Sequence, residues 1–228
     1  MVYSSNINWK YYSEIQTMKK GYPVDLEKEM LARNVPFING LLKKGRVAIA
    51  GLGGLGSNIA VMLARVGVGH LFLVDFDIVE PSNLNRQHYN LTHLGKLKTE
   101  ALKSQIDIIN PFVETKTLAL KITEDNVCEV FKDYEIVCEA FDNPVNKAML
   151  VNSLLFANKT KIVAASGMAG IDGANQIQTL QKFKNLYVCG DSVPALEGGI
   201  GLMSPRVMIC AGHQASMVLK LLLGQDIN

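Results

Sequence analysis

The stretch Val47-Ala48-Ile49-Ala50-Gly51-Leu52-Gly53-Gly54-Leu55-Gly56-Ser57 decides the fold. Four apolar residues of strand character run into a G-x-G-x-x-G turn, and Ile59, Met62, Leu63 and Val66 then recur at helical spacing until Gly67 and Gly69 stop them. A strand that enters a glycine turn and leaves as a helix is the opening of a dinucleotide-type βαβ unit. Glycine lets the backbone bend tightly and approach phosphate, while the helix N-terminus behind it offers unpaired N–H groups to negative charge. Gly51, Gly53, Gly54 and Gly56 are therefore candidate nucleotide-binding positions. The motif alone is weak, and its context has to carry the reading.

That context follows at once. The strand-like His70-Leu71-Phe72-Leu73-Val74 runs straight into Asp75, 24 residues after Gly51, where a carboxylate can bind a ribose hydroxyl. Further on, residues 97–110 read as a helix stopped by Pro111, 114–120 as a strand, 124–134 as a helix and 135–141 as a buried strand. Asn143-Pro144 then marks a helix start, with Asn as cap and Pro in the first helical position. A helix over 145–157, strands at 161–166 and 175–180, and a last helix over 205–223 complete the pattern.

Upstream, residues 26–45 hold one or two short helices, and residues 1–25 form an arm without a clear period. The fold class is thus α/β: a doubly wound, mostly parallel, Rossmann-like sheet with an N-terminal helical arm. We divide the chain into that arm and a single nucleotide-binding domain over 26–228. Ligands of such sheets sit beyond the carboxyl ends of the strands, where the glycine turn, Asp75 and Asp142 all fall.

The bulk numbers fit one domain. A chain of 228 residues, 48% hydrophobic and 19% charged, can bury a full core. Its net charge of +2, from 23 basic and 21 acidic residues, gives no reason to expect a nucleic-acid partner. The longest uncharged stretch, Val47 to Ala64, is broken by its glycines, Ser57 and Asn58, so it reads as strand, turn and helix and not as a membrane span. A polar, aromatic N-terminus without a basic and then apolar run suggests no secretory signal, and the expected location is the cytoplasm. Cys128, Cys138, Cys189 and Cys210 form no C-x-x-C pair, and His70, His88, His93 and His213 show no ligand spacing, so zinc is not expected.

Which nucleotide chemistry the fold serves turns on the loop after Asp75. The same glycine fingerprint serves NAD-dependent oxidoreductases. Here, however, Phe76-Asp77-Ile78-Val79-Glu80-Pro81-Ser82-Asn83-Leu84-Asn85-Arg86-Gln87 follows, with Lys98 in the next segment. Arg86 supplies a planar fork for phosphate oxygens and Lys98 a mobile point charge, a combination that suits a triphosphate losing pyrophosphate. Asp142 adds a carboxylate opposite these cations, suited to hold Mg²⁺ through one or two oxygens. After Asp142 only 86 residues remain, with no separate substrate domain and no persuasive acid–base pair for hydride transfer.

Together, GLGGLGS (51–57), DFDIVEPSNLNRQ (75–87), GKLK (95–98), NP (110–111) and DNP (142–144) resemble the ThiF/MoeB/HesA superfamily, the bacterial relatives of ubiquitin-activating enzymes. The resemblance implies that the C-terminal glycine carboxylate of a ubiquitin-like sulfur carrier attacks the α-phosphate of Mg-ATP, giving acyl-AMP and pyrophosphate. It gives Asp75 the ribose, Asn83, Arg86, Gln87 and Lys98 the phosphates, and Asp142 the metal. It also implies a homodimer in which an arginine from the partner's N-terminal helix completes the site, and Arg33 is the nearest match.

The missing cysteine pairs point to a short, zinc-free ThiF and a ThiS-type carrier of thiamine thiazole synthesis. Cys189 stands alone where relatives have a zinc ligand or a crossover-loop nucleophile. Gly198-Gly199 is internal, so the sequence does not read as the carrier itself. Two further readings stay open beside the oxidoreductase: a tRNA threonylcarbamoyladenosine dehydratase working through adenylation, and a nucleotide-binding scaffold without catalysis.

Overall fold

The computed structural model describes residues 18–19, 22–23, 25–157, 160–193 and 201–225. The arm predicted over 1–25 lies mostly outside them; its described parts, β1 (Met18–Lys19) and β2 (Tyr22–Pro23), pair antiparallel. Helices α1 (Leu26–Met30) and α2 (Pro36–Lys44) follow, the second opening on Pro36 in its first turn. Then come β3 (Arg46–Ala50), α3 (Gly54–Arg65), β4 (His70–Val74), α4 (Lys98–Ile109), β5 (Glu114–Leu118), α5 (Val127–Phe131) and β6 (Ile136–Glu139). The chain continues through α6 (Pro144–Ala157), β7 (Lys161–Ala165), β8 (Gln178–Phe183), β9 (Leu186–Gly190) and α7 (Ser204–Leu222).

Seven strands form one sheet in the order β5-β4-β3-β6-β7-β9-β8, parallel throughout except for the β8–β9 hairpin at one edge. The chain leaves β3 towards β4 and β5, then returns to build β6, β7 and β9 on the other side. Strand order therefore reverses between β3 and β6, and the crevice at their carboxyl ends is where this architecture takes ligands.

Alternation along the strands divides the core into two layers. Val47, Ile49, Leu71, Leu73, Ile136, Cys138 and Val163 face the layer of α3 and α7, where Ile59, Leu63, Cys210 and Val218 pack. Ala48, Ala50, Val74, Val137 and Ile162 face the opposite way, onto Val127, Phe131, Leu150 and Leu154 of α5 and α6. Strands buried on both faces read as unbroken apolar runs, as a parallel sheet between helices requires. The uncharged stretch from Val47 to Ala64 folds as strand, turn and helix, and no helix among the described residues is long and apolar enough to cross a membrane.

Three expectations need correction. Residues 186–190, to which the sequence pattern assigns no element, form β9, which inserts between β7 and β8, so Cys189, matched to a zinc-ligand or crossover-loop position, sits in a buried strand. The strand expected over 175–180 starts later, at Gln178, because Ala174–Gln176 close into a single 3-10 turn. The helix expected over 124–134 is confined to Val127–Phe131. Gly198 and Gly199 lie outside the described residues.

Candidate nucleotide site at the switch point

The glycine turn is held by side chains of α3. Ser57 Oγ donates to Gly53 O (2.6 Å) and accepts from His88 N (2.9 Å). Asn58 Nδ2 donates to Gly54 O (2.6 Å) and to Arg86 O (3.1 Å). These two buried polar residues thus tie the turn to Arg86 and His88 at the end of the loop that follows Asp75, through backbone partners. Tyr89 completes the fastening, donating its hydroxyl to Leu52 O (2.9 Å), and burial together with Asp75 and Asp77 pushes its phenol well above the ordinary value.

The glycines divide into two roles. Gly51 has φ +90°, a conformation that favours glycine, and a Cβ there would lie 2.8 Å from Ala140 O. A Cβ on Gly56 would lie 1.8 Å from Gly51 O, so Gly56 lets the first turn of α3 close onto β3. Gly51, Gly53 and Gly54 line the cavity at the switch point, whereas Gly56 packs behind it. Gly54 also makes room for Arg86, whose Cγ would be 3.5 Å from an added Cβ.

The cavity measures about 960 Å³, counting open solvent at its mouth, which is ample for a nucleotide. Asp75, 8% exposed, stands in its wall with Oδ2 accepting from Leu52 N (2.6 Å) and Oδ1 from Asp77 N (2.8 Å). A carboxylate has about four acceptor positions, so two remain for ribose hydroxyls. Lys98 is the first residue of α4 and is buried, its Nζ 2.9 Å from Asp77 Oδ2. Arg86 folds over its own loop, donating from Nη1 to Ser82 O (3.2 Å) and Asn85 Oδ1 (2.8 Å). Gln87 is 8% exposed, lines the cavity, and its Oε1 has no hydrogen-bond partner among the described residues. A buried amide oxygen left unpaired is costly, and a ligand donor would relieve it.

At the far side, Asp142 is exposed at the rim, directly beyond the end of β6. Behind it Asn143 caps α6, its Oδ1 accepting from Val145 N (2.9 Å) and Asn146 N (3.1 Å) as the Asn-Pro pattern predicts. One carboxylate beside a phosphate cleft suits Mg²⁺, which prefers one or two protein oxygens together with phosphate and water. No group of three or more His, Cys, Asp or Glu side chains gathers into a metal cage among the described residues.

Two predicted residues stand elsewhere. Asn83 does not line the cavity; its Oδ1 accepts from Glu80 N (3.1 Å) and its Nδ2 reaches Ser82 Oγ (3.4 Å), so it shapes the loop that carries Arg86 and Gln87. Arg33 is exposed in the turn after α1 and lines no part of its own chain's cavity.

Several lining residues had no signal in the sequence. Phe76, half exposed, has Lys121 Nζ over its ring at 5.9 Å, and with Leu120 and Ile122 they form a mostly apolar wall beyond Asp75. Met168, Leu202 and Val207 close the opposite side. The segment bearing Met168 is anchored by buried Arg206, whose Nη1 donates to Asp172 O (2.7 Å) and Gly173 O (3.1 Å) and whose Nη2 pairs with Asp191.

A Rossmann-like sheet with a glycine turn, a ribose-side carboxylate and two cations converging at its switch point defines a protein class built to receive a phosphorylated nucleotide. Residues 38–228 match the model of the ThiF family, and the chain belongs to that family. It is 30% identical over 190 residues to the adenylyltransferase and sulfurtransferase UBA4 of Eremothecium gossypii, covering 80% of this chain and 42% of that protein. It is 32% identical over 192 residues to UBA4 of Candida glabrata, covering 80% and 43%. The chain therefore spans less than half the length of these curated relatives.

Among solved structures, the E. coli tRNA N6-threonylcarbamoyladenosine dehydratase TcdA in complex with ATP superposes with a TM-score of 0.78 at 23% identity, covering 86% of this chain and 93% of that one. That likeness is one of fold.

Proposed function

We propose that the chain adenylates a carboxylate: a C-terminal glycine carboxylate of a ubiquitin-like sulfur carrier attacks the α-phosphorus of ATP. A carbonyl-O–phosphorus bond forms, the bond from the α-phosphorus to the bridging oxygen breaks, and pyrophosphate leaves with that oxygen. The observation that carries this reading is that Arg86, Lys98, Gln87 and Asp142 line one cavity with the glycine turn, where Gln87 Oε1 has no hydrogen-bond partner among the described residues.

No general base is needed, because a C-terminal carboxyl with an ordinary pKa of about 3.5 is already ionised at neutral pH. The chain's work is to position the reactants and compensate charge. Asp75 orients the ribose through its two remaining acceptor positions. Lys98 turns from Asp77, and Arg86 from Ser82 O and Asn85 Oδ1, towards the phosphates, and Gln87 Oε1 accepts from a ligand hydroxyl at the turn. Asp142 would hold Mg²⁺, which when bound supplies charge neutralisation on the phosphate oxygens. Phe76, Leu120 and Ile122 take the base. Arg33, remote from its own cavity, acts on the site of a second copy in a homodimer.

The names of the UBA4 relatives support a sulfur-carrier substrate. A second reading, adenylation of a modified tRNA nucleoside, has in its favour that the chain covers 93% of the dehydratase TcdA. The deciding experiment is ATP–pyrophosphate exchange with ubiquitin-like carriers ending in Gly-Gly, a ThiS-type carrier of thiamine synthesis among them, and with threonylcarbamoyladenosine-containing tRNA. Exchange dependent on a Gly-Gly carrier supports the main reading. AMP formation that requires only tRNA would replace it with the second, and binding of NAD in place of ATP would end both.

Cys189 has no part in this step. It is fully buried, Thr179 Oγ1 is 3.5 Å from its sulfur, and burial pushes its thiol up to about 11. Such a thiol is protonated at neutral pH and a poor nucleophile. Cys189→Ser is expected to keep pyrophosphate exchange within about twofold of the parent, since a small buried thiol acts chiefly as a packing group. A loss of exchange with an intact thermal melt would restore a chemical role for this sulfur.

A further inference from the structure

The ion pair of buried Glu139 with partly buried Lys147 plays no part in the scheme above, yet it holds the residue just before Asp142. Glu139 is the last residue of β6 and is 0% exposed. Lys147, one turn into α6, places Nζ 2.8 Å from Glu139 Oε2 and 3.1 Å from Oε1. The same ammonium donates to Phe141 O at 2.9 Å, while Phe141 N donates to Glu139 Oε1 at 2.7 Å. Phe141 is therefore held at both its N–H and its carbonyl, one residue before Asp142.

Stability alone is a poor explanation for this pair, because desolvating the carboxylate offsets much of the attraction, and replacing such pairs by apolar groups of similar volume is often neutral or stabilising. Its geometry offers a better one. Ala140 N donates to Ala50 O (2.9 Å), and Gln214 Nε2 donates to Glu139 O (3.0 Å), so the strand end before Phe141 is fixed as well. A Cβ on Gly51 would lie 2.8 Å from Ala140 O and 2.9 Å from the Phe141 ring, so the segment presses against the glycine turn. Whatever fixes the Phe141 peptide sets the separation between the phosphate cradle and the Asp142 carboxylate.

We propose that Glu139 and Lys147 are positioning residues that hold the Phe141 peptide, and through it Asp142, at the distance from the glycine turn needed for a divalent cation bound with ATP. The inference rests on the reading of Asp142 as the metal carboxylate. Groups that orient a metal's direct ligands typically change its affinity about 10–100-fold when removed. The pair would therefore govern metal affinity in the ternary complex and leave the nucleotide's own contacts alone.

The test uses Mn²⁺ as probe, followed by electron paramagnetic resonance at saturating ATP, together with calorimetry of ATP binding in a chelator. Lys147→Met is expected to weaken Mn²⁺ by about 10–100-fold with metal-free ATP affinity nearly unchanged. Lys147→Arg, which keeps a cation able to donate to both Glu139 and Phe141 O, should recover most of the loss. A folded Lys147→Met with unchanged Mn²⁺ binding, or with ATP and Mn²⁺ weakened alike, overturns the proposal.

If Lys147→Met does not fold, the double variant Glu139→Gln/Lys147→Met removes both charges together and is judged by the same readings. Collapse of both would make the pair a stability element and also overturn the proposal. Asp142→Asn is measured in parallel: retained Mn²⁺ binding there refutes the metal reading of Asp142 itself, separately from any result at the pair.

Discussion

Lys98→Met is expected to lower ATP–pyrophosphate exchange by about 10²–10³-fold, the loss that follows removal of one preorganised donor to developing charge. Lys98 is buried at the start of α4, and its only ion-pair partner among the described residues is Asp77. Methionine matches the length of the lysine stem and suits the buried position, so packing is kept while the charge is lost. The Asp77 side chain is 49% exposed, and solvent can take over its solvation. The thermal melt should therefore move little. A melt that falls with exchange would place Lys98 in the fold and not in the chemistry. Exchange at the parent rate would remove it from the phosphate site.

The second large effect is expected from Gly56→Ala. The added carbon would overlap the backbone carbonyl of Gly51 in the turn and press on Ile49 Cγ2 in the β3 core. No rotamer change relieves a clash with backbone. Overpacking of this kind costs about 1–3 kcal/mol or more, and relief requires α3 to withdraw from β3, which opens the turn. We expect both a lower melting temperature and ATP binding weakened beyond measurement at ordinary nucleotide concentrations. Gly170→Ala is a useful control. Unlike Gly56 it has positive φ (+80°) and its nearest prospective neighbour is at 3.7 Å, so it reports backbone strain without a steric clash, away from the turn.

How far the site was legible depended on whether function left a local pattern. The glycine turn, Asp75 and the segment from Phe76 to Gln87 lie on one continuous βαβ unit, so spacing along the chain carried their spatial relation. Asp142 was legible because the Asn-Pro cap behind it marks a strand end. Lys121 and Phe76 meet only through the pairing of β4 with β5, and Met168 only through the crossover that Arg206 anchors. No local periodicity encodes such meetings.

The strand β9 was missed for a related reason. LYVCG is short and follows directly on a turn, and its identity as an inner strand comes from pairing with β7, whose residues lie 24 positions upstream in register, as Ala165 does from Cys189. Asn83 shows the reverse case, since a residue type apt for phosphate is committed to its own backbone. The fold class itself needed only the alternation of elements, which the seven-stranded sheet reproduces.

Gln214, fully buried in α7, donates to the carbonyls of Glu139 on β6 and Val163 on β7. One side chain near the end of the described chain thus fastens two adjacent strands that are synthesised far ahead of it. During synthesis both strands and α3 precede α7, so the apolar face that α7 covers stays bare until that helix has been made. Truncation before Ser204 leaves that face uncovered and is expected to yield an aggregate and not a smaller folded domain.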